Sequence, residues 1–183
     1  MTDTQWPRYI VFEQPEAGAP HRYVGSVHAP DAEMALLNAR DIFARRPGLV
    51  NLWVVGADQI YARTRGELAA TPPSAEAPPA GAALERYFVA QKQSQKGLST
   101  YVGEVQAASP AHALALALAQ FANAKALVWW VFPSRAVTAS APDDTGSLFA
   151  SALDKPFRDQ SFYPVVTLMR EARKKSSQQN PSE

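Results

Sequence analysis

Three histidines, His21, His28 and His112, are the side chains of this 183-residue chain best suited to proton transfer or metal ligation. Their spacing assembles neither. No Glu-x-x-His or His-x-x-x-His pair occurs, so a carboxylate-bridged di-iron site and a zincin-type zinc site both lack their helical ligands. Cysteine is absent, which removes disulfides, thiolate zinc sites, Cys-held Fe–S clusters and a cysteine nucleophile. No Gly-x-Gly-x-x-Gly or Gly-x-x-x-x-Gly-Lys cradle is present, and no serine sits in a Gly-x-Ser-x-Gly elbow. Each histidine therefore reads as a surface or packing residue, and metal ligands and cofactors are expected to be none. Trp53, Trp129 and Trp130 read as core or interface. Gly25 and Gly103 read as bulges or points where a helix packs tightly on a strand.

Composition narrows the classes further. At 46% hydrophobic and 10% aromatic residues, the chain can bury a real core. Its net charge of +1 supplies no field for nucleic acid or an anionic membrane. The first residues, Met1 to Trp6, carry neither a charged nor an apolar leader region, and no apolar run reaches the length of a membrane span. A soluble, cytoplasmic protein is expected, with no nucleic-acid or membrane partner.

The elements that would position any site are written twice. Shifted by 78 residues, the chain matches itself at 13 positions between Arg8 and Ala44. Arg8-Tyr9 falls on Arg86-Tyr87, Tyr23-Val24-Gly25 on Tyr101-Val102-Gly103, Ala35-Leu36 on Ala113-Leu114 and Phe43-Ala44 on Phe121-Ala122. With one residue dropped, Trp53-Val54 falls on Trp130-Val131. A tandem duplication outranks every other local signal. Between the copies, residues 69–83 are Ala or Pro at 11 of 15 positions, an extended spacer reaching on the order of 45 Å at roughly 3 Å per residue. The expected organisation is a first repeat at 1–66, a linker at 67–84, a second repeat at 85–140, and an extension with a basic, partly disordered tail at 141–183.

The identities also choose faces. Tyr23, Gly25, Val27 and Ala29 are kept in alternation, which is the period of a half-buried strand, and Tyr9 and Val11 alternate likewise. Asp31 and Ser109 stand as N-caps, with Pro110 at a first helical position. Leu36, Ala39 and Phe43 recur as Leu114, Ala117 and Phe121, the face of a helix. Residues 51–55 and 128–132 read as a third strand, and 60–62 and 137–139 as short fourth ones. The fold class is α+β: two ββαβ(β) repeats, each marginal alone, packed as a pseudo-two-fold, ferredoxin-like body with one helix per repeat over an antiparallel or mixed sheet.

A family resemblance rests on named blocks. Trp6-Pro7-Arg8-Tyr9-Ile10-Val11-Phe12 resembles the opening of the PaaB family, a small non-catalytic component of phenylacetyl-CoA epoxidase. Residues Tyr23 to Asp31, then Met34-Ala35-Leu36, Asn38-Ala39-Arg40-Asp41 and Arg45-Arg46, resemble its central HVGS-hydrophobe-HA-x-D…MAL-x-NARD…RR block. Leu52-Trp53-Val54-Val55 resembles the following strand, and Asp154-Lys155-Pro156-Phe157-Arg158 with Phe162-Tyr163 its closing element. The chain departs from the family by carrying two copies. The second is degenerate, with Leu116-Ala117-Leu118-Ala119 in place of the Asn-Ala-Arg-Asp run, and Glu104 and Gln106 in place of Ser26 and His28.

The resemblance implies a non-catalytic bridging subunit that joins pairs of a di-iron catalytic A subunit and a structural C subunit, with electrons from a separate flavin/Fe–S reductase. It implies a partner-binding surface at Asn38, Arg40, Asp41, Arg45, Arg46, Lys155, Phe157, Arg158, Phe162 and Tyr163. The isolated chain is expected to be a monomeric pseudo-dimer. Two other classes compete. Small cofactor-independent monooxygenases of the dimeric α+β barrel type line a pocket with Trp, Asn and His, for which Trp53, Asn51 and His28 stand available. An RNA-binding module would need an aromatic and basic strand that Phe12 and Phe88 do not occupy.

Overall fold

The computed structural model describes residues 6–44, 48–73, 82–153 and 164–179. The first repeat runs β1 (Arg8–Gln14), β2 (Arg22–His28), α1 (Ala32–Phe43), β3 (Asn51–Gly56), β4 (Tyr61–Thr64) and α2 (Arg65–Ala70). The second repeats that order as β5 (Glu85–Lys92), β6 (Ser99–Ala107), α3 (Pro110–Gln120), β7 (Val128–Pro133), β8 (Val137–Ala139) and α4 (Thr145–Leu153). A further helix, α5 (Val165–Gln179), carries the stretch Arg170 to Lys175 that the sequence reads as a basic tail.

The helix starts follow from their caps. Asp31 accepts a hydrogen bond from the Met34 amide at 2.8 Å, and Ser109 accepts one from the His112 amide at 3.2 Å. Each helix lays its repeated stripe on its own three-stranded half: Ala35 and Ala39 against Val11, Val27 and Val54, and Ala113, Leu114 and Ala117 against Val89, Val105 and Val131.

Among the described residues, eight strands join one antiparallel sheet in the order β4-β7-β5-β6-β2-β1-β3-β8. The two short fourth strands are exchanged. Tyr61 of β4 pairs with Val131 of β7, and Val137 of β8 pairs with Val55 of β3. The sequence expects a fourth strand in each unit but does not say which unit it completes. In both repeats a three-residue 3₁₀ turn (Ala57–Gln59 and Ser134–Ala136) delivers it to the opposite half. Ala57, Ile60, Ala136 and Val137 there join the core shared by the halves, so the crossing buries apolar surface.

That shared core shows how strongly the sheet curls. β1 and β7 lie four strands apart in the order, about 19 Å in a flat sheet. Yet the rings of Phe12 and Phe132 lie 5.5 Å apart, and Phe12 meets Trp130 at 6.1 Å. The inner face therefore closes on itself around Ile10, Phe12, Val55, Ala90 and Phe132, leaving the helices outside. Where the two halves meet side by side, at β2 and β6, the backbone seam is narrow: Arg22 opposite Thr100, and the Tyr101 amide donating to the His21 carbonyl at 2.8 Å.

Both readings of the strand glycines hold together. The β1–β2 ladder shifts register at Val11/Phe12 and the β5–β6 ladder at Val89/Ala90, opposite Gly25 and Gly103. A Cβ at Gly25 would stand 2.6 Å from Phe43 Cζ, and one at Gly103 2.5 Å from Phe121 Cζ, with φ at +155° and +149°. Gly25→Ala or Gly103→Ala should therefore cost about 2–4 kcal/mol by overpacking and backbone strain. Urea denaturation reads the loss, and adding Phe43→Leu to Gly25→Ala should recover part of it; an unchanged midpoint in the single variants would refute the packing argument.

Candidate functional site

Two surfaces gather the polar residues. The first is the outer face of α1. Asn38 is half-buried and donates to the His28 carbonyl at 3.3 Å, tying the helix to the end of β2. Arg40 bonds the carboxylate of Asp41 at 3.0 Å on the helix surface. Beside them Met34, Leu37 and Ile42 are 42%, 39% and 43% exposed, three large apolar side chains on one short helix. Arg45, Arg46, Lys155, Phe157, Arg158, Phe162 and Tyr163 lie outside the described residues.

The equivalent face of α3 is built differently. Ala115 stands where Leu37 stands in α1 and is only 7% exposed, while Leu116 and Leu118 pack partly buried against the second core. Leu68 of α2, carried over with the exchanged β4, packs on that same core. Its helix is nucleated by a capping box: the Glu67 amide donates to the Thr64 hydroxyl at 3.2 Å, and Glu67 accepts from the Thr64 amide at 2.7 Å. Thr64-x-x-Glu67 is a legible signal for a helix that the linker composition obscures. On the opposite half, α4 brings Leu148 and Phe149 into the first core.

The second cluster lies where the halves meet. His21 stacks on Trp53 with ring centroids 3.5 Å apart and planes within 14°, and Trp53 stacks in turn on Phe88 at 5.0 Å. Tyr101 stands edge-on to all three rings. Asn51 donates its amide to the Ser140 carbonyl at 2.9 Å and hydroxyl at 3.0 Å, which turns its carbonyl oxygen toward His21 Nε2 at 3.0 Å. The imidazole proton therefore sits on Nε2. The Ser140 hydroxyl also accepts the Leu52 amide at 3.0 Å, fastening the residue after β8 to β3.

His21 is thus no surface residue, and the repeat holds a sign of it: its counterpart is Ser99, and that of Asn51 is Val128. The structure brings Trp53 and Asn51 together but leaves His28 out. His28 sits at the far end of β2 from His21 and bonds the Trp6 carbonyl at 2.9 Å, so the Trp53–Asn51–His28 pocket of the monooxygenase reading does not form. His112 stays beside its own helix start, 3.4 Å from the Ala108 amide. Among the described residues no group of three or more His, Asp and Glu could hold a metal, and no helix is long and apolar enough to cross a membrane.

Burial lowers the His21 pKa from its ordinary 6.5, against a smaller opposing pull from Asn51. As pH falls through 6.5, the unfolded chain takes up this proton before the folded one does. The contribution is complete above that pH and is lost below it, down to the lower folded value. Unfolding free energy should fall on mild acidification, and His21→Gln should flatten that slope; equal slopes in urea titrations would contradict the assignment.

Comparison with known proteins fits the duplicated architecture. The family described as phenylacetic acid degradation B (PaaB) matches residues 5–77 and again residues 83–170. The B component of the 1,2-phenylacetyl-CoA epoxidase of Escherichia coli (strain K12) is 47% identical over 70 residues, spanning 37% of this chain and 74% of that protein. No solved structure matches the chain.

Proposed function

The chain belongs to the PaaB family, twice over along its length, and from that premise we propose that it is a non-catalytic bridging subunit of a phenylacetyl-CoA-type epoxidase. On this reading it works in the cytoplasm and joins pairs of the di-iron A subunit and the structural C subunit. It carries no cofactor of its own. The 1–66 and 85–140 repeats act as the two halves of one bridge, with residues 67–84 connecting them and 141–183 extending from the second.

One observation carries the reading: the helix with the family's Asn-Ala-Arg-Asp block is also the one that leaves Met34, Leu37 and Ile42 exposed. Apolar side chains ringed by fixed charges make a typical interface core and rim. On α3, where the block has become Leu-Ala-Leu-Ala, the chain covers the face itself, so one half serves as scaffold and the other as docking surface. The exchange of β4 and β8 supplies the stiffness a bridge needs, since neither half can swing away without breaking two ladders.

Arg40→Asp combined with Asp41→Arg preserves the mutual ion pair of these neighbours while reversing what a partner meets. Co-expression with candidate A and C subunits, followed by pull-down and size-exclusion chromatography, should show weakened assembly and an unchanged circular dichroism spectrum. Full assembly by the double variant would move the surface off α1. Purified alone, the chain should sediment as a monomer and carry no stoichiometric iron or flavin. A tight homodimer at micromolar concentration would show that fusion has not replaced dimerisation.

A further inference from the structure

Groups for which bridging has no use, the buried His21 and the exposed Glu104 among them, meet at one cavity between the halves. It measures about 440 Å3, and Gln14, His21 and Trp53 of the first repeat line it together with Phe88, Tyr101 and Glu104 of the second. Its aromatic walls are the rings of His21, Trp53, Phe88 and Tyr101.

Three of the side chains there bring acceptors, beside the Tyr101 O–H and the Trp53 N–H, which can donate. With its proton on Nε2, His21 presents a bare Nδ1 lone pair. Gln14 donates its amide to the Ala19 carbonyl at 3.0 Å, which leaves its own carbonyl oxygen to accept. Glu104 adds a carboxylate, and among the described residues no Lys or Arg lines the cavity. A carboxylate, a phosphate or the pyrophosphate of a CoA thioester would meet the Glu104 carboxylate, while Arg86, outside the lining, is already turned to that same carboxylate, so the site disfavours anions. We propose that this cavity binds an organic cation with N–H donors, an alkylammonium or alkylguanidinium group.

The corner of the cavity already shows the preference. Arg86, outside the lining, holds its guanidinium carbon 5.7 Å over the Phe88 ring and one nitrogen 3.9 Å from Glu104, while bonding Ser134 at 3.2 Å. At that distance Glu104 keeps most of its acceptor capacity for a closer donor. Burial pushes His21 down and Tyr101 up from their ordinary pKa values, so both stay neutral at pH 7 and the carboxylate sets the sign of the site. Pseudo-symmetry separates this from packing. Tyr101 and Trp53 have counterparts in Tyr23 and Trp130, but His21, Phe88 and Glu104 answer to Ser99, Ile10 and Ser26. The rings that the fold needs are kept in both halves; the acceptors stand in one.

The cation can be a free amine or a Lys or Arg side chain of an assembly partner, and one experiment distinguishes them. The full chain is titrated with n-butylguanidinium and n-butylammonium, with butyrate and butanol as controls, following His21 and Trp53 resonances by NMR. Saturable shifts are expected with the cations only. Glu104→Gln should weaken them by about tenfold or more, the scale of a charge-assisted hydrogen bond, at an unchanged urea midpoint. If Glu104→Gln leaves subunit capture intact, the ligand is a free amine. If it weakens capture and butylguanidinium competes, the cation belongs to the partner. Equal affinity in wild type and Glu104→Gln, or no saturable shift together with unaffected capture, would overturn the proposal.

Discussion

Everything in this molecule depends on two short strands that neither half can use for itself. β4 has four residues and β8 three, too little for either to stand as an independent edge, and each finds its ladder only on the other repeat. Because the turns before them drop Ile60 and Val137 into the shared aromatic core, exchange and core formation are one event. The consequence is cooperativity. A repeat of this size buries too little to persist alone, and here its completion is literally supplied by its twin.

The same interlock explains how near-symmetry and asymmetry coexist. Positions that touch the exchanged elements or the helix–sheet contacts are held alike: Gly25 and Gly103 beneath Phe43 and Phe121, Trp53 and Trp130 on the third strands. Positions on the outer helix faces and at the mouth of the inter-half cavity carry no such burden. There the copies part company, with Asn38 against Leu116, Arg40 against Leu118, and His21 against Ser99. Packing constrains both halves equally; function needs to occupy only one.

How much of this is legible in the sequence follows from the range of each interaction. Strand faces, the helix stripe and its caps are local or periodic, and comparing Tyr23–Ala29 with Tyr101–Ala107 is enough to orient them. The strand exchange is not legible, because residues 60–62 and 137–139 show only that they are extended, and pairing partners are chosen by where the turn delivers them. The burial of His21 is hidden for a related reason. A lone histidine after Pro20 has no periodic pattern, and what buries it, Trp53 and Tyr101, arrives from 32 and 80 residues away. Asn38 falls on the helix that its spacing predicts, but its amide bonds the chain's own His28 carbonyl, a contact that spacing alone does not disclose.

Fusion changes what such a body can become. When two identical chains pair through a two-fold, every substitution appears twice, so a residue that improves one face is imposed on the other. In a tandem chain the halves meet at an effective concentration of about millimolar, set by the tether rather than by expression level, and the symmetry requirement lapses. Leu116 and Leu118 are tolerable because they need not also be good at the position of Asn38 and Arg40. His21 and Glu104 can line one cavity because they come from different copies, each free of its own duplicate. The duplicated architecture therefore fixes the scaffold twice and leaves one exposed helix face and one inter-half cavity free to be specialised once.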